Sequence, residues 1–440
     1  MSRRNLQITP SNHTSTGAIS FRSGNPVLQF IIGEADMNLV GSSIRLVGNF
    51  RIRGNDTDTN TVPQNASNIR MSEQLGMFSV IEQLVIKSQA THQVIEEIKN
   101  YPRFMTSYLP VTTSLQDNMS HLGQQALTLP NYDCHKLSVV DIETGNTGAG
   151  RIGNSFCIHL PCGLFNGRVP IPLASNSRGG LGGLLVEVHL APDSNVLFGQ
   201  DGTTDDMLDA FYEMNNVYLT AEAVMDDSSK PNTFEFNSIS SYFTTFNSAN
   251  AIINFNLGLS RVLGVFGNVT SASMINTLTA NGLAANNPVN SDGALASIRQ
   301  LFFLRGGEKF PIEYNVNTEQ RDDTGNLAVD SQVVQEYMNA IQKFGSISRT
   351  CANVNTTALV GSVPTALTPT GMNTRVDGGL VTGIGCAYDV ISGNGVDFSS
   401  QNFGITMDIG LKTDCPQALY LFVHSKQTLA FSENGIRVIK

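Results

Sequence analysis

Tryptophan is absent from this chain of 440 residues, and charged side chains make up only 15% of it. A typical soluble domain is roughly 25% charged. Scarce charge leaves Asn, Ser, Thr and Gly to build the polar surface, and these residues favour turns and strands over long exposed helices. Forty glycines and sixteen prolines are scattered along the chain. The composition therefore predicts an all-β protein.

A basic arm or stripe is also missing. The net charge is −10, and the only early basic cluster is Arg3-Arg4. Because proteins that bind nucleic acid neutralise phosphates with Lys and Arg, we expect no direct sequence-specific nucleic acid binding. No apolar run reaches the length of about 18 residues that a membrane span needs, so we expect no membrane span. The first residues lack the apolar core of a signal peptide, so we expect a cytosolic or nuclear protein rather than a secreted one.

The six cysteines lie far apart and form no CxxC pair. This spacing favours free, mostly buried thiols over the disulfide scaffold of small secreted proteins. Their positions are 134, 157, 162, 351, 386 and 415.

An internal duplication organises the chain. Residues 81–96 return 217 positions later as residues 298–313, with five identities in sixteen positions, among them the pair Ile95-Glu96 and Ile312-Glu313. Two further stretches pair in the same order in each half: residues 155–159 resemble 402–406, and residues 184–189 resemble 419–424. A spacing near half the chain length predicts two large units of one architecture.

The distribution of polar and apolar residues divides the chain into four predicted segments. Residues 1–24 are polar without periodicity and are predicted to form a flexible N-terminal arm. The first unit then occupies residues 25–225, a charged linker ending in Pro231 occupies 226–231, and the second unit occupies 232–440. Alternating side chains from Ile44 to Ile52 predict a strand with one buried face.

Two helices are expected among the strands. The spacing of Val94, Ile95 and Ile98 predicts a helix that begins near Thr91 and ends at Pro102. A second helix is predicted over 331–344, where six apolar side chains share one face, Asp330 or Ser331 can cap the start and Gly345 ends it.

Several stretches resemble sites of chemistry. Gly148 to Gly153 fits G-x-G-x-x-G but precedes a strand, whereas a phosphate site needs a helix there. Cys157, His159 and Cys162 could suggest zinc, yet Pro161 separates them and no fourth ligand is near. Further candidates are the neighbours Cys134-His135, which a strand would point to opposite faces, and the pairs Asp205-Asp206 and Asp226-Asp227, which solvated loops explain. No His-x-His motif of a jelly-roll metal enzyme occurs. We expect no catalytic, cofactor-binding or metal residues.

The chain resembles the double jelly-roll major capsid proteins, most of all those of virophages and Polinton-like viruses. The resemblance covers most of residues 25–440, and the order of its motifs matters more than any one of them. The stretches that carry it are 25–30, 46–50, 160–165, 169–173, 179–181, 420–423 and 431–436.

The resemblance implies two tandem eight-stranded jelly-roll sandwiches with one or two short helices in the loops. It further implies a non-enzymatic structural protein of an icosahedral double-stranded DNA virus. Three chains would form a homotrimer of pseudo-hexagonal outline that tiles the shell and contacts neighbouring capsomers and minor or penton capsid proteins. The protein would be made in the host cytoplasm and reside in the virion.

Two other interpretations remain open at the level of sequence. A carbohydrate-binding or adhesive β-sandwich protein, such as a fibre, spike or lectin, would need exposed aromatic platforms, although Trp is absent and most Phe and Tyr lie in strand patterns. An enzyme would need Cys157, His159 or the aspartate pairs to converge in one pocket.

Overall fold

The structure is a computed structural model, and it describes most of the chain outside several connecting segments. The described residues are 3–14, 17–53, 69–71, 75–113, 125–127, 154–199, 211–225, 232–248, 250–271, 300–310, 316–317, 331–342, 344, 383–388, 393–408, 417–433 and 435–440.

Strands dominate these residues, as the composition predicts. The first half contains β1 (Arg3–Ile8), β2 (Val27–Ile32), β3 (Met37–Arg53), β4 (Ile69–Met71), β5 (Ile81–Ser88), β6 (Val94–Lys99), β7 (Asn154–His159), β8 (Ile171–Pro172), β9 (Leu184–Leu190), β10 (Leu197–Gly199) and β11 (Phe211–Met225). The second half contains β12 (Thr233–Phe246), β13 (Asn250–Phe255), β14 (Val262–Ser271), β15 (Gln300–Arg305), β16 (Glu308–Lys309), β17 (Val316–Asn317), β18 (Gly383–Ala387), β19 (Phe403–Asp408), β20 (Gln417–Ser432) and β21 (Gly435–Ile439).

Among the described residues, helices are few and short. They are α1 (Tyr101–Thr112), α2 (Asp193–Val196) and α3 (Ser331–Gln342), and single 3₁₀ turns cover Gly76–Val80 and Asn176–Arg178. The prediction of a helix at 331–344 is confirmed in position, and its apolar face is buried through Tyr337, Ala340 and Ile341.

Each half is a jelly roll of two antiparallel sheets. In the first half the sheets have the orders β1-β11-β3-β7 and β2-β9-β5-β6, and in the second half β12-β20-β14-β18 and β13-β19-β15-β16. When the eight main strands of each half are numbered along the chain, both halves have strand orders 1-8-3-6 and 2-7-4-5, with the short β16 and β17 together standing in fifth place in the second half. The predicted fold class, two tandem jelly-roll sandwiches, is confirmed.

The first predicted repeat, 81–96 with 298–313, agrees with this topology where the structure describes it. The two later pairs, 155–159 with 402–406 and 184–189 with 419–424, do not. Residues 81–86 lie at the start of β5 and residues 298–303 run into β15, and these two strands hold the same place in their sandwiches. Residues 403–406 of the predicted stretch belong to β19, which corresponds to β9 rather than to β7. Residues 419–424 belong to β20, which corresponds to β11. The later pairing was therefore wrong by one strand, because alternating apolar strands resemble one another whatever their place in the sheet.

The segment before Pro102 is a strand rather than the expected helix. Residues 94–99 form β6, which pairs with β5, and Ile95 and Ile98 are buried. The helix α1 begins only after Asn100, whose φ of 53° turns the chain, and Pro102 lies in its first turn. Proline is favoured there because the first helical N–H groups have no partner inside the helix.

The start of the chain also differs from the expectation of a flexible arm over 1–24. Arg3–Ile8 forms β1, which pairs along its whole length with β11, and Leu6 and Ile8 pack against the core. Two alternating apolar residues were too few to indicate a strand in the sequence. The predicted linker 226–231 lies outside the described residues, so the boundaries between the units remain a prediction.

The hydrophobic core does not divide at the boundary between the halves. One cluster lies between the two sheets of the second sandwich, around Phe303, Phe403 and Leu421. The other fills the first sandwich and continues into the second half through Phe266, Phe344 and Phe422. The two sandwiches are therefore joined by a packed apolar interior.

Candidate functional site at the junction of the two sandwiches

Helix α1 inserts aromatic side chains between the two sandwiches. The ring of Phe104 lies 5.4 Å from that of Phe422, 5.8 Å from that of Phe344 and 6.1 Å from that of Phe266, measured between centroids. Tyr108 lies one turn further and contacts Phe344 at 5.5 Å. Tilted and edge-to-face aromatic pairs at these distances stabilise a core beyond the area they bury. The helix therefore anchors the first sandwich to the outer face of the sheet β12-β20-β14-β18.

Polar contacts accompany this apolar anchor. The side-chain amide of Asn268 on β14 donates to the carbonyl of Arg103 at 3.2 Å and to the hydroxyl of Ser107 at 2.8 Å. The hydroxyl of Tyr337 on α3 donates to the carbonyl of Ser107. All four residues are buried. These bonds fix the rotation of α1 against the second sandwich, since a buried polar group without a partner is costly.

Arg103 is a buried cation within the same contact. Its guanidinium carbon lies 5.0 Å from the ring centroid of Tyr420 on β20, and only 5% of the residue is exposed. Burial lowers the pKa of Arg103, while Tyr420 and Glu82 oppose that shift. Glu82 on β5 interacts electrostatically with Arg103, and burial raises the pKa of Glu82. Arg103 therefore interacts with an aromatic ring of the second half and with a carboxylate of the first half.

Glu96 on β6 binds three backbone N–H groups with one carboxylate. Its Oε1 accepts from Gly163 at 2.8 Å and from Ile239 at 2.7 Å, and its Oε2 accepts from Leu164 at 2.8 Å. Gly163 and Leu164 lie in the turn after β7, whereas Ile239 lies on β12 of the second sandwich. The carboxylate therefore ties two segments of the first half to the first strand of the second half.

The electrostatics of Glu96 reflect its complete burial. Loss of water raises the pKa of Glu96 from its usual 4.5 to about 7, although the three N–H donors pull it down. The thiol of Cys162 is adjacent, and burial raises its pKa well above the usual range. Such a thiol stays protonated and is no nucleophile. The carboxylate of Glu96 and its three N–H donors, called the Glu96 clasp below, thus form a structural contact whose charge state can change near neutral pH.

Gly163 allows the turn after β7 to meet β12 closely. A Cβ at this position would lie 2.3 Å from the carbonyl oxygen of Asn237 and 2.4 Å from the Cα of Ser238. Both atoms belong to backbone that cannot rotate away, so only glycine fits. Tyr101 holds the same turn from the other side by donating its hydroxyl to the carbonyl of Pro161 at 3.0 Å.

The structure brings the sequence candidates Cys157, His159 and Cys162 near this junction without assembling a site from them. The His159 ring is engaged on both nitrogens: Nδ1 lies 2.9 Å from the carbonyl oxygen of Ile44, and Nε2 lies 3.0 Å from the side-chain amide of Asn166. Burial lowers its pKa. Cys162 accepts from the backbone N–H of Phe165 at 3.3 Å. No group of three metal-ligating side chains occurs among the described residues.

The other sequence candidates cannot be placed. Gly148 to Gly153, Cys134-His135, Asp205-Asp206 and Asp226-Asp227 lie outside the described residues. The absence of catalytic, cofactor-binding and metal residues therefore remains a prediction. Glu96 and Arg103 were missed as functional residues, although the repeated Ile-Glu pair had marked Glu96.

A groove of about 1190 Å³ runs along the junction. The first sandwich lines the groove with residues of β3, β7 and the end of α1, and its charged or titratable groups there include Arg45, His159 and Arg168. The second sandwich lines it with residues of β12 and β20, including Glu235 and Lys426. Glu235 is paired with Arg261 at 2.6 Å. The groove thus mixes charges of both signs and is open rather than enclosed. Within the described part of the chain, no helix has the length and apolar character to cross a bilayer.

No protein-family model matches the sequence, and no curated protein sequence matches it. Solved structures match the fold over almost the whole chain. A chain from the cryo-EM structure of the Sputnik virophage has a TM-score of 0.54 at 12% identity, with coverage of 99% of this chain and 88% of that chain. A chain of the PBCV-1 virus capsid has a TM-score of 0.53 at 11% identity, with coverage of 99% and 96%. The Faustovirus major capsid protein has a TM-score of 0.51 at 11% identity, with coverage of 98% and 90%. The predicted resemblance to double jelly-roll capsid proteins is confirmed at the level of the fold.

Proposed function

We propose that this chain is a structural subunit of the capsid of an icosahedral double-stranded DNA virus. Three copies form a capsomer of pseudo-hexagonal outline, and these capsomers tile the shell. The observation that carries the proposal is the match of both jelly rolls, in order and over 99% of the chain, to a chain of the PBCV-1 capsid. The TM-score of 0.51 with the Faustovirus major capsid protein supports it.

The junction supplies the property that this function needs. A trimer approximates a hexagon only if the two sandwiches of each chain keep a fixed angle. The aromatic contacts of Phe104, the clasp of Glu96 and the buried Arg103 hold that angle through unrelated interactions. Bonds with different geometries cannot all be kept if one sandwich rotates against the other, so the chain behaves as one rigid tile.

The function requires no chemistry from the chain. We propose a non-enzymatic protein whose partners are two further copies, neighbouring capsomers and minor or penton capsid proteins, with no sequence-specific contact to nucleic acid. It resides in the virion after synthesis in the host cytoplasm. The low proportion of charge suits broad contacts between subunits, because an unpaired buried charge is costly.

The mass of the purified protein in solution tests the proposal. We expect a species near three times the chain mass of 47.4 kDa, measured by light scattering or native mass spectrometry. A protein that stays monomeric at micromolar concentration contradicts the proposal. A glycan-binding screen tests the competing adhesive function, which predicts a specific sugar ligand where the capsid proposal predicts none.

A further inference from the structure

The groove along the junction is more positively charged than the chain as a whole. The chain has 27 Lys and Arg against 37 Asp and Glu, whereas the described lining of the groove holds Arg45, Arg168 and Lys426 against one carboxylate, Glu235. That carboxylate lies 2.6 Å from Nη1 of Arg261, which is not among the lining residues. Its charge is therefore balanced from outside, and the groove keeps an excess of positive charge within an acidic chain.

The three cations stand on both walls of the groove. Arg45 belongs to β3 and Arg168 to the turn after β7, whereas Lys426 belongs to β20 of the second sandwich. Among the described residues, no carboxylate lies within ion-pair distance of any of the three. Arg168 is exposed and Lys426 is half-buried. An anionic segment that lies along the groove therefore meets cations of both sandwiches.

Apolar side chains lie between and beside these charges. Val169, next to Arg168 in the chain, is 57% exposed, which is unusual for a large apolar residue of this protein. The deeper lining is buried and apolar, and it consists of Phe78, Leu164, Phe234, Phe236 and Phe344. Apolar area bordered by charge is typical of surfaces that contact another protein.

We propose that this groove, defined by Arg45, Arg168, Val169, Glu235 and Lys426, binds an acidic peptide segment of another protein. Carboxylates of the segment pair with the cations of the two walls, and its apolar side chains cover Val169 and the buried lining. The proposed trimer does not need the groove, so the inference goes beyond the proposed function.

The size of the groove favours a chain segment over a small molecule. Its volume of about 1190 Å³ exceeds the roughly 300–1,000 Å³ of ordinary small-molecule pockets. It also runs between two sandwiches and is open along its length, so an extended or helical segment can enter without any movement of the walls. Carboxylates attached to one chain then reach both walls together.

The aromatic side chains distinguish a peptide from single-stranded nucleic acid, the other large polyanion. Bases bind such grooves by stacking on exposed aromatic faces. Four of the five aromatic residues in the described lining are less than a tenth exposed, namely Phe78, Phe234, Phe236 and Phe344. The fifth, Tyr108, packs its ring against Phe104 at 5.8 Å. The groove thus offers apolar edges to aliphatic side chains but no free face on which a base can stack.

Fluorescence anisotropy with a short fluorescein-labelled peptide, in which Glu and Leu alternate, tests the inference on the wild-type protein. We expect saturable binding that weakens as salt screens the charges, and no binding of the matched peptide with Lys in place of Glu. Arg168→Gln with Lys426→Gln should weaken the binding about tenfold. The matched control is Arg437→Gln on β21, where the arginine is exposed and does not line the groove; we expect wild-type affinity.

The apolar part of the contact has its own variant. Val169→Ser keeps every charge and should weaken the binding of the Glu-Leu peptide several-fold, because it removes apolar area that the leucines cover. Equal affinity of this variant and the wild type would reduce the contact to charge alone and overturn the proposed recognition.

Further outcomes separate the occupants and the proposed function. Native mass spectrometry should show the same assembly for the Arg168→Gln/Lys426→Gln protein as for the wild type; a loss of assembly means that the groove receives another copy of the chain instead. Oligothymidine that displaces the Glu-Leu peptide assigns the groove to nucleic acid. Equal peptide binding by the wild type and the double variant overturns the inference while the trimer stands. A wild-type protein that stays monomeric overturns the proposed function, and the same anisotropy measurement still decides the groove.

Discussion

Glu96 joins three segments of the chain through one carboxylate, so its loss affects all three at once. Glu96→Ala leaves the N–H groups of Gly163, Leu164 and Ile239 buried without an acceptor. Each unsatisfied donor costs about 1–3 kcal/mol, so we expect the free energy of unfolding to fall by at least about 3 kcal/mol in urea denaturation. The matched control is Glu97→Ala on the next position, where the carboxylate side chain is 37% exposed and the change should stay within about 0.5 kcal/mol. Equal losses in the two variants would contradict the role of the clasp.

The pH dependence of stability offers a second test of the same residue. Burial raises the pKa of Glu96 from 4.5 to about 7, so between these values the folded chain holds a proton that the unfolded chain has released. The free energy of unfolding therefore falls as the pH rises through this window, by about 3 kcal/mol for a shift of this size. Glu96→Gln cannot titrate.

The comparison with this variant isolates Glu96 from the other buried acids. We expect the stability of the wild type to decline relative to Glu96→Gln from about pH 5 to about pH 8, when both proteins are unfolded in urea at each pH. Parallel curves would show that Glu96 keeps its charge throughout.

Sequence reasoning could mark Glu96 but could not explain it. The repeated Ile-Glu pair singled out the position, yet the partners of the carboxylate lie 67, 68 and 143 residues further along the chain. From sequence alone a glutamate is expected at the surface, because a buried carboxylate needs hydrogen-bond donors that only the fold brings together. The same holds for Arg103, whose aromatic partner Tyr420 comes from the last long strand.

At the scale of elements, α1 decides whether the sandwiches stay in contact. Phe104→Ala removes the ring that touches Phe266, Phe344 and Phe422 and leaves a cavity in the junction. We expect a loss of about 3–5 kcal/mol in the free energy of unfolding, measured by urea denaturation. Phe243→Ala on β12 is the control, since the residue is 45% exposed and its truncation leaves no enclosed cavity. A smaller loss for Phe104 than for Phe243 would contradict the anchoring role of the helix.

The errors of sequence reasoning at this scale have one physical source. Periodicity identified α3, from the apolar spacing over 331–344, and the long alternating strand β3. It failed at residues 94–99, where three apolar side chains fit both a helix and a strand. Pro102 was taken as the end of a helix, whereas it lies in the first turn of the next one. The repeat search likewise found β5 and β15 but slipped by one strand later, because strand patterns carry little information about their order.

At the scale of the whole molecule, the composition predicted an all-β chain and the duplication predicted two units of one architecture, whereas the jelly-roll topology was implied by the resemblance to capsid proteins. The way in which the sandwiches join was not predictable, because it depends on α1, which lies outside the strand pattern, and on the shared core around Phe104. Two units of similar architecture suggested two domains, each with its own core. The structure instead places Phe266, Tyr337 and Phe422 of the second half in the cluster that fills the first sandwich.

This shared core predicts how the protein unfolds. If the first sandwich melted alone, Phe266, Phe344 and Phe422 would lose their partners, and the second sandwich would expose an apolar face to water at a cost of about 25 cal/mol for each Å². We therefore expect one cooperative transition in calorimetry, with equal calorimetric and van't Hoff enthalpies per chain after the concentration dependence of assembly is taken into account. Phe104→Ala weakens the coupling and should lower the van't Hoff enthalpy before it splits the transition, whereas Phe243→Ala should leave one transition. Two transitions in the wild-type protein would mean that the sandwiches are thermodynamically separate and that the angle between them is not held by the junction.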